Sequence, residues 1–146
     1  MKKMFSVLLL VITLLIAQTA SALAAAPQVS GQIGSPPSPN AYQMISRGEC
    51  SLTDLGDGSL NISGLTQTFY AVDEVDLTLN LQYYSGGNWY TLNSYNYTRY
   101  NSSSVSGGQT LGVTKGYTYR IFAQHRALDG EIVENGQSYS PSITIY

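Results

Sequence analysis

The 146-residue chain has one cysteine, Cys50, and one histidine, His125. A single cysteine excludes an intramolecular disulfide. Two such residues are too few for a zinc site, which draws on several His and Cys ligands. A lone His with no nucleophile-elbow motif among the serines gives a nucleophile–base–acid constellation no support. Charge is scarce as well: Asp, Glu, Lys and Arg make up 11% of the residues, with no Lys/Arg cluster. Nucleic-acid binding and a polybasic membrane patch both need concentrated positive charge, so neither partner is expected. Sustained helical periodicity is missing throughout. The reading is therefore of a protein that is not an enzyme and takes no metal or other cofactor.

A long apolar run occurs once. Lys2 and Lys3 precede the run Met4–Ile16, and small residues follow up to Ala26. A basic head, an apolar stretch and an Ala-x-Ala site make a secretory signal peptide, here 1–24 with cleavage after Ala22-Leu23-Ala24. The run is shorter than the roughly 20 residues a spanning helix needs, so no membrane span is expected after cleavage. Removing 24 residues from 146 leaves 122, with five Lys+Arg against nine Asp+Glu. Residues 25–41 hold four of the five prolines and read as a Pro/Ser/Gly-rich linker. Residues 42–146 form the domain.

What the domain has in abundance is Tyr, Thr, Ser, Asn and Gly, a strand-and-turn composition with twelve tyrosines. Val75, Leu77, Leu79, Leu81 and Tyr83 alternate with polar residues, the mark of a strand with one buried face. Ser85-Gly86-Gly87-Asn88 reads as a hairpin loop, and Trp89–Tyr97 as the returning strand. Cys50 and Leu52 precede a turn at Asp54–Gly58, and Leu60 and Ile62 follow it. Val105, Leu111 and Val113 mark a further strand. Tyr117–Arg126 carries Tyr119, Ile121 and Ala123 on one face. After a turn at Asp129-Gly130 and a polar loop, Ile143 and Ile145 mark the last strand. About seven short strands at this spacing predict an all-β, antiparallel sandwich.

Val113-x-x-Gly116-x-x-Tyr119 resembles the tyrosine corner of fibronectin type III and other immunoglobulin-like domains. That resemblance implies a Tyr119 hydroxyl bonded back to backbone near Val113 or Thr114. Lys115 stands where the type III pattern often has Pro. The layout also resembles a family of small, uncharacterised secreted proteins of Gram-positive bacteria. The similar stretches are Ile45–Cys50, Leu81-Gln82 through Gly86–Trp89, and Lys115–Arg120. The resemblance implies an extracellular location and brings no catalytic residues.

Within this frame Cys50 is a small buried hydrophobe or, in an exported protein, one half of an intermolecular disulfide. His125 shares the face of Ile121 and Ala123 and is expected to be structural. Asp54-x-x-Asp57-Gly58 and Asp73-Glu74-x-Asp76 offer oxygen atoms, yet neither matches a calcium loop. They read as turn formers. If Tyr84 pairs with Trp89 and Leu81 with Leu92, then Leu81, Tyr83, Tyr90 and Leu92 face the core. Tyr84, Trp89 and Tyr95 face outward among Asn80, Gln82, Thr91 and Asn93, with Arg120, Phe122 and Gln124 beside them. Such an uncharged aromatic and amide surface suits a glycan or cell-envelope component. The same aromatic pairs also stabilise a sheet without any ligand. A structural, self-associating protein is the alternative.

Overall fold

The computed structural model describes residues 44–146. The expected signal peptide (1–24), the expected linker (25–41) and residues 42–43 lie outside the described residues. Six antiparallel strands form one sheet: β1 (Ile45–Gly56), β2 (Ser59–Ser85), β3 (Asn88–Gly112), β4 (Thr118–Asp129), β5 (Ile132–Tyr139) and β6 (Ile143–Thr144). Among the described residues there is no helix.

Two strands are far longer than their sequence pattern implied. The segments around Leu60 and Val75 belong to one 27-residue strand, and those around Trp89 and Val105 to one of 25. Both bend at the same level. The β2–β3 register slips between Gln67 and Val72, where four residues of β2 (68–71) stand against one of β3 (Ser103). On β3, Asn101 takes φ 48° at this level, a left-handed conformation that Asn tolerates better than most residues. The bend curls the sheet. Its first half is β1, residues 59–67 of β2 and residues 104–112 of β3. The second is residues 88–102 of β3, 72–85 of β2, then β4 and β5.

The two halves face each other across a core that contains Leu60, Ile62, Val75, Leu77, Leu79, Leu81, Ile121 and Ala123, all completely buried. Each such Leu or Ile contributes about 1.5–3 kcal/mol by leaving water. The alternation in Val75–Leu81 and in Tyr119–Ala123 is thus the core lining itself.

Polar groups also cross this core. His125 is 1% exposed and both its ring nitrogens are bonded. Nδ1 lies 2.8 Å from Thr66 Oγ1, and Nε2 lies 2.9 Å from Ser138 Oγ. Thr66 donates its own hydroxyl proton to the Asp76 carbonyl (2.9 Å). Its oxygen can then only accept, so Nδ1 carries the imidazole proton and Nε2 accepts from Ser138. Burial pushes His125 down to about 4, which keeps it neutral. Cys50, 5% exposed, lies beside this chain with its sulfur 3.4 Å from Ser138 Oγ. Burial pushes its thiol up, the reverse of what a reactive cysteine needs. Gly48 is what lets the halves close here: a Cβ at this position would sit 2.7 Å from His125 Cδ2.

The corner behaves as its resemblance implied. Tyr119 Oη donates to the Thr114 carbonyl at 2.7 Å while the ring is buried. The polar loop expected before Ile143 is instead strand β5. Its inward residues are Glu134, Gly136 and Ser138 in place of apolar ones. Glu134 Oε2 accepts the backbone N–H groups of Met44 (2.6 Å) and Ile45 (3.3 Å), so the carboxylate serves as a backbone partner at the start of β1.

Candidate functional site

The site is the outer face of the second half. Its frame is the β2–β3 hairpin, whose turn is Gly86-Gly87 with φ 56° and 87°. Positive φ at both central residues is what a two-residue hairpin turn matching strand twist requires. The turn sets Ser85 opposite Asn88, Tyr84 opposite Trp89, Tyr83 opposite Tyr90 and Gln82 opposite Thr91.

Beyond Thr91 the structure departs from simple alternation. Leu81 pairs with Asn93, not Leu92. Leu92 is the extra residue of a β-bulge, unpaired and half-exposed. One inserted residue reverses the facing of everything after it. Tyr95 therefore pairs with Leu79 and packs against the core, so it is not part of the outer face. Asn93, opposite Leu81, likewise leaves the outer set, which Ser94, Asn96 and Thr98 join opposite Asn80, Thr78 and Asp76. Tyr90 lies on the inner side, as expected, but is 47% exposed rather than core, with its ring 5.6 Å from that of Tyr83.

The aromatics that remain outside form a continuous strip. The Tyr84 and Trp89 rings are 5.2 Å apart. The Arg120 guanidinium carbon lies 4.1 Å from the Trp89 ring centre and 4.9 Å from that of Tyr139. Tyr139 in turn stacks on Phe122 at 5.0 Å. Arg120 Nε donates to Gln82 Oε1 at 2.9 Å, and Gln82 Nε2 donates to Thr91 Oγ1 at 3.3 Å. Asn80 sits beneath the strip, 8% exposed, with its amide nitrogen on the Phe122 carbonyl and its oxygen taking the Ser94 hydroxyl. Both ends of Asn80 are thereby occupied, and it braces the strip from below.

Further along the same face lies a polar groove of about 490 Å³, lined among others by Asp76, Thr78, Asn96, Thr98, Gln124, Arg126 and Asn135. Arg126 reaches both Glu74 and Asp76, the latter at 2.6 Å. Hydrogen bonds to Asp76 and then Glu74 hold the Arg126 guanidinium above its ordinary value. Burial alone would raise the Asp76 carboxyl. Hydrogen bonds from Thr98 (2.6 Å) and Arg126 outweigh it and hold that carboxyl below the usual range.

The sequence reading thus placed Tyr84, Trp89, Phe122 and Gln82 on the exposed face, and they are found together. It missed Tyr139, because β5 lacks apolar alternation, and it listed Arg120 without its two rings. Gly116, with φ 88°, makes the turn that precedes β4. The acidic residues weighed as oxygen donors are engaged otherwise. Asp54 accepts the Gly56 N–H, and Asp73 accepts the Gly130 N–H. Among the described residues no group of three or more His, Cys, Asp or Glu side chains is placed to hold a metal. No protein-family model matches the chain, and no curated protein or solved structure matches it either.

Proposed function

We propose that this is a secreted, non-enzymatic binding module whose outer face takes a glycan or another cell-envelope component. The observation that carries the reading is the continuity of the Tyr84–Trp89–Arg120–Tyr139–Phe122 strip with a groove of hydroxyls and amides on one face. Flat rings bury the apolar face of a sugar, and amides and hydroxyls supply directional hydrogen bonds at its rim. Export through the 1–24 signal peptide belongs to the same reading.

An immunoglobulin-like, fibronectin type III-like sandwich is the architecture we propose for it. Counting β2 and β3 as two arms each, with β1, β4 and β5, gives seven strands in two facing groups, to which the two-residue β6 is added as an eighth beside β4. The Tyr119–Thr114 bond at the start of β4 supports it further. The resemblance to small secreted proteins of Gram-positive bacteria is consistent with an envelope ligand.

A second reading is favoured by one feature. Among the described residues β3 pairs only with β2, leaving a 25-residue edge whose sole charge is Arg99. Uncharged long edges pair with copies of themselves, as a self-associating extracellular protein would. Retention of the exported protein on purified cell-wall polysaccharide separates the two. The binding reading expects retention of a monomer and its loss in Trp89→Ala. A protein that ignores the polysaccharide and has a multimeric native mass would replace it with the structural reading.

A further inference from the structure

The outer face carries two arginines in opposite circumstances. Arg126 spends its charge on Glu74 and Asp76. Arg120 has no carboxylate within 4 Å among the described residues and is half-buried between the Trp89 and Tyr139 rings. Its Nε is fixed on Gln82, while its two terminal nitrogens make no hydrogen bond to any described residue. Burial lowers it somewhat from its ordinary value, yet an arginine remains charged at any physiological pH. The rings and Gln82 remove the side-chain freedom that a ligand would otherwise have to freeze out. What is left is a pre-oriented fork of N–H donors, the geometry that matches a planar or tetrahedral oxyanion in a bidentate fashion. The nearest paired carboxylates of this face, around Arg126, lie six residues along β4, about 20 Å away. That is about twice the screening length at physiological salt, so they neither neutralise Arg120 nor repel an anion docked there.

Resting on the glycan-binding reading above, we propose that Arg120 is the anion-recognising element of the site and that the ligand bears a carboxylate or phosphodiester group. The sugar ring stacks along Trp89 and Tyr139, and its anionic group meets the free edge of the guanidinium. Asp76, Thr98 and Arg126 form a separate subsite for uncharged hydroxyls, where one guanidinium is shared by the Glu74 and Asp76 carboxylates and has no charge to spare for an anion.

Three immobilised polymers of matched length test this: a polyuronate, a polyglycerol phosphate and a neutral glucan. Each is measured against the full exported protein at 20 mM and 500 mM salt. At least one anionic polymer should bind tenfold or more tighter than the glucan, with the advantage eroding at high salt. Arg120→Gln should lose that advantage, falling to the affinity for the glucan. Arg120→Lys, which keeps the charge and loses the fork, should fall between. Arg99→Gln, a change of equal charge away from this face, should bind as the wild type does. Which of the two anionic polymers is preferred tells carboxylate from phosphate. Equal wild-type affinity for glucan and both anionic polymers overturns the proposal and leaves glycan binding standing, and this comparison needs no variant to fold. Arg120→Gln that keeps the anionic preference also overturns it. Binding to none of the three defeats both readings together.

Discussion

The two faces of β4 hold polar groups under opposite rules. On the inner face His125 is sealed, and each ring nitrogen has one partner, Thr66 or Ser138, that is itself buried. On the outer face Arg120 has one of its donors satisfied and the rest directed away from any described partner. Both residues are held rigidly, His125 by hydrogen bonds and Arg120 by rings. The difference teaches where to look for function in a fold of this kind. A buried polar residue with every partner present is part of the structure. A half-buried one, equally rigid and incompletely partnered, is available to something else.

The largest effect that sharpens this contrast is acid lability of the inner face. His125 titrates near 4 in the folded chain, against its ordinary 6.5. The unfolded state therefore binds the proton more readily, and stability falls as the pH drops through the interval from 6.5 to 4. The full loss is about 3 kcal/mol at roughly 1.36 kcal/mol per pH unit. Urea melts at pH 7, 5.5 and 4.5 should show it, and His125→Gln should flatten the dependence. A wild-type midpoint constant over that interval would break the assignment of His125 as a neutral, sealed residue.

Next in size is closure over the imidazole. Gly48→Ala puts a methyl 2.7–2.8 Å from ring carbons of His125, and the ring is pinned on both sides. Overpacking of this sort costs about 1–3 kcal/mol. A denaturation midpoint equal to that of the wild type would mean the two halves of the sheet are not in register at this level.

A smaller loss is expected at the corner. Tyr119→Phe removes a 2.7 Å bond to the Thr114 carbonyl and should cost on the order of 1 kcal/mol. An unchanged midpoint would remove the main support for the immunoglobulin-like architecture.

How much of this was legible in the sequence follows the chemistry of each strand. β4 and the second arm of β2 announce themselves because apolar side chains recur every second residue, and those residues are the core. The hairpin was legible because glycine takes two successive positive φ values at no steric cost. The bulge at Leu92 was not. It uses an ordinary residue, and nothing in Thr91-Leu92-Asn93 signals an insertion, so Tyr95 was assigned to the wrong face. β5 was not legible either, since its inward positions are Glu134, Gly136 and Ser138. Glu134 serves the N–H groups of Met44 and Ile45 and Ser138 the His125 imidazole, partners that exist only once the sheet has curled. Tyr139, and with it the second ring of the Arg120 clamp, was lost for the same reason. The continuity of β2 through residues 68–71 was not legible, since Phe69 and Tyr70 are exposed there (67% and 47%) and interrupt the apolar alternation on either side.

The outer face should be nearly silent in stability. Trp89→Ala removes a cross-strand contact to Tyr84 and a ring under Arg120, a loss of about 1 kcal/mol or less, the smallest of these changes. Its effect belongs to binding. Trp89 is the only tryptophan in the chain, so its fluorescence reports from within the proposed site. Titration of the protein with cell-envelope polysaccharide, followed at the tryptophan band, is the most direct measurement of the central claim. A saturable shift of that band, retained in Phe69→Ala and lost in Tyr139→Ala, is the result the account predicts. A band that stays put while the polysaccharide is retained, or that shifts equally in Tyr139→Ala, would contradict it.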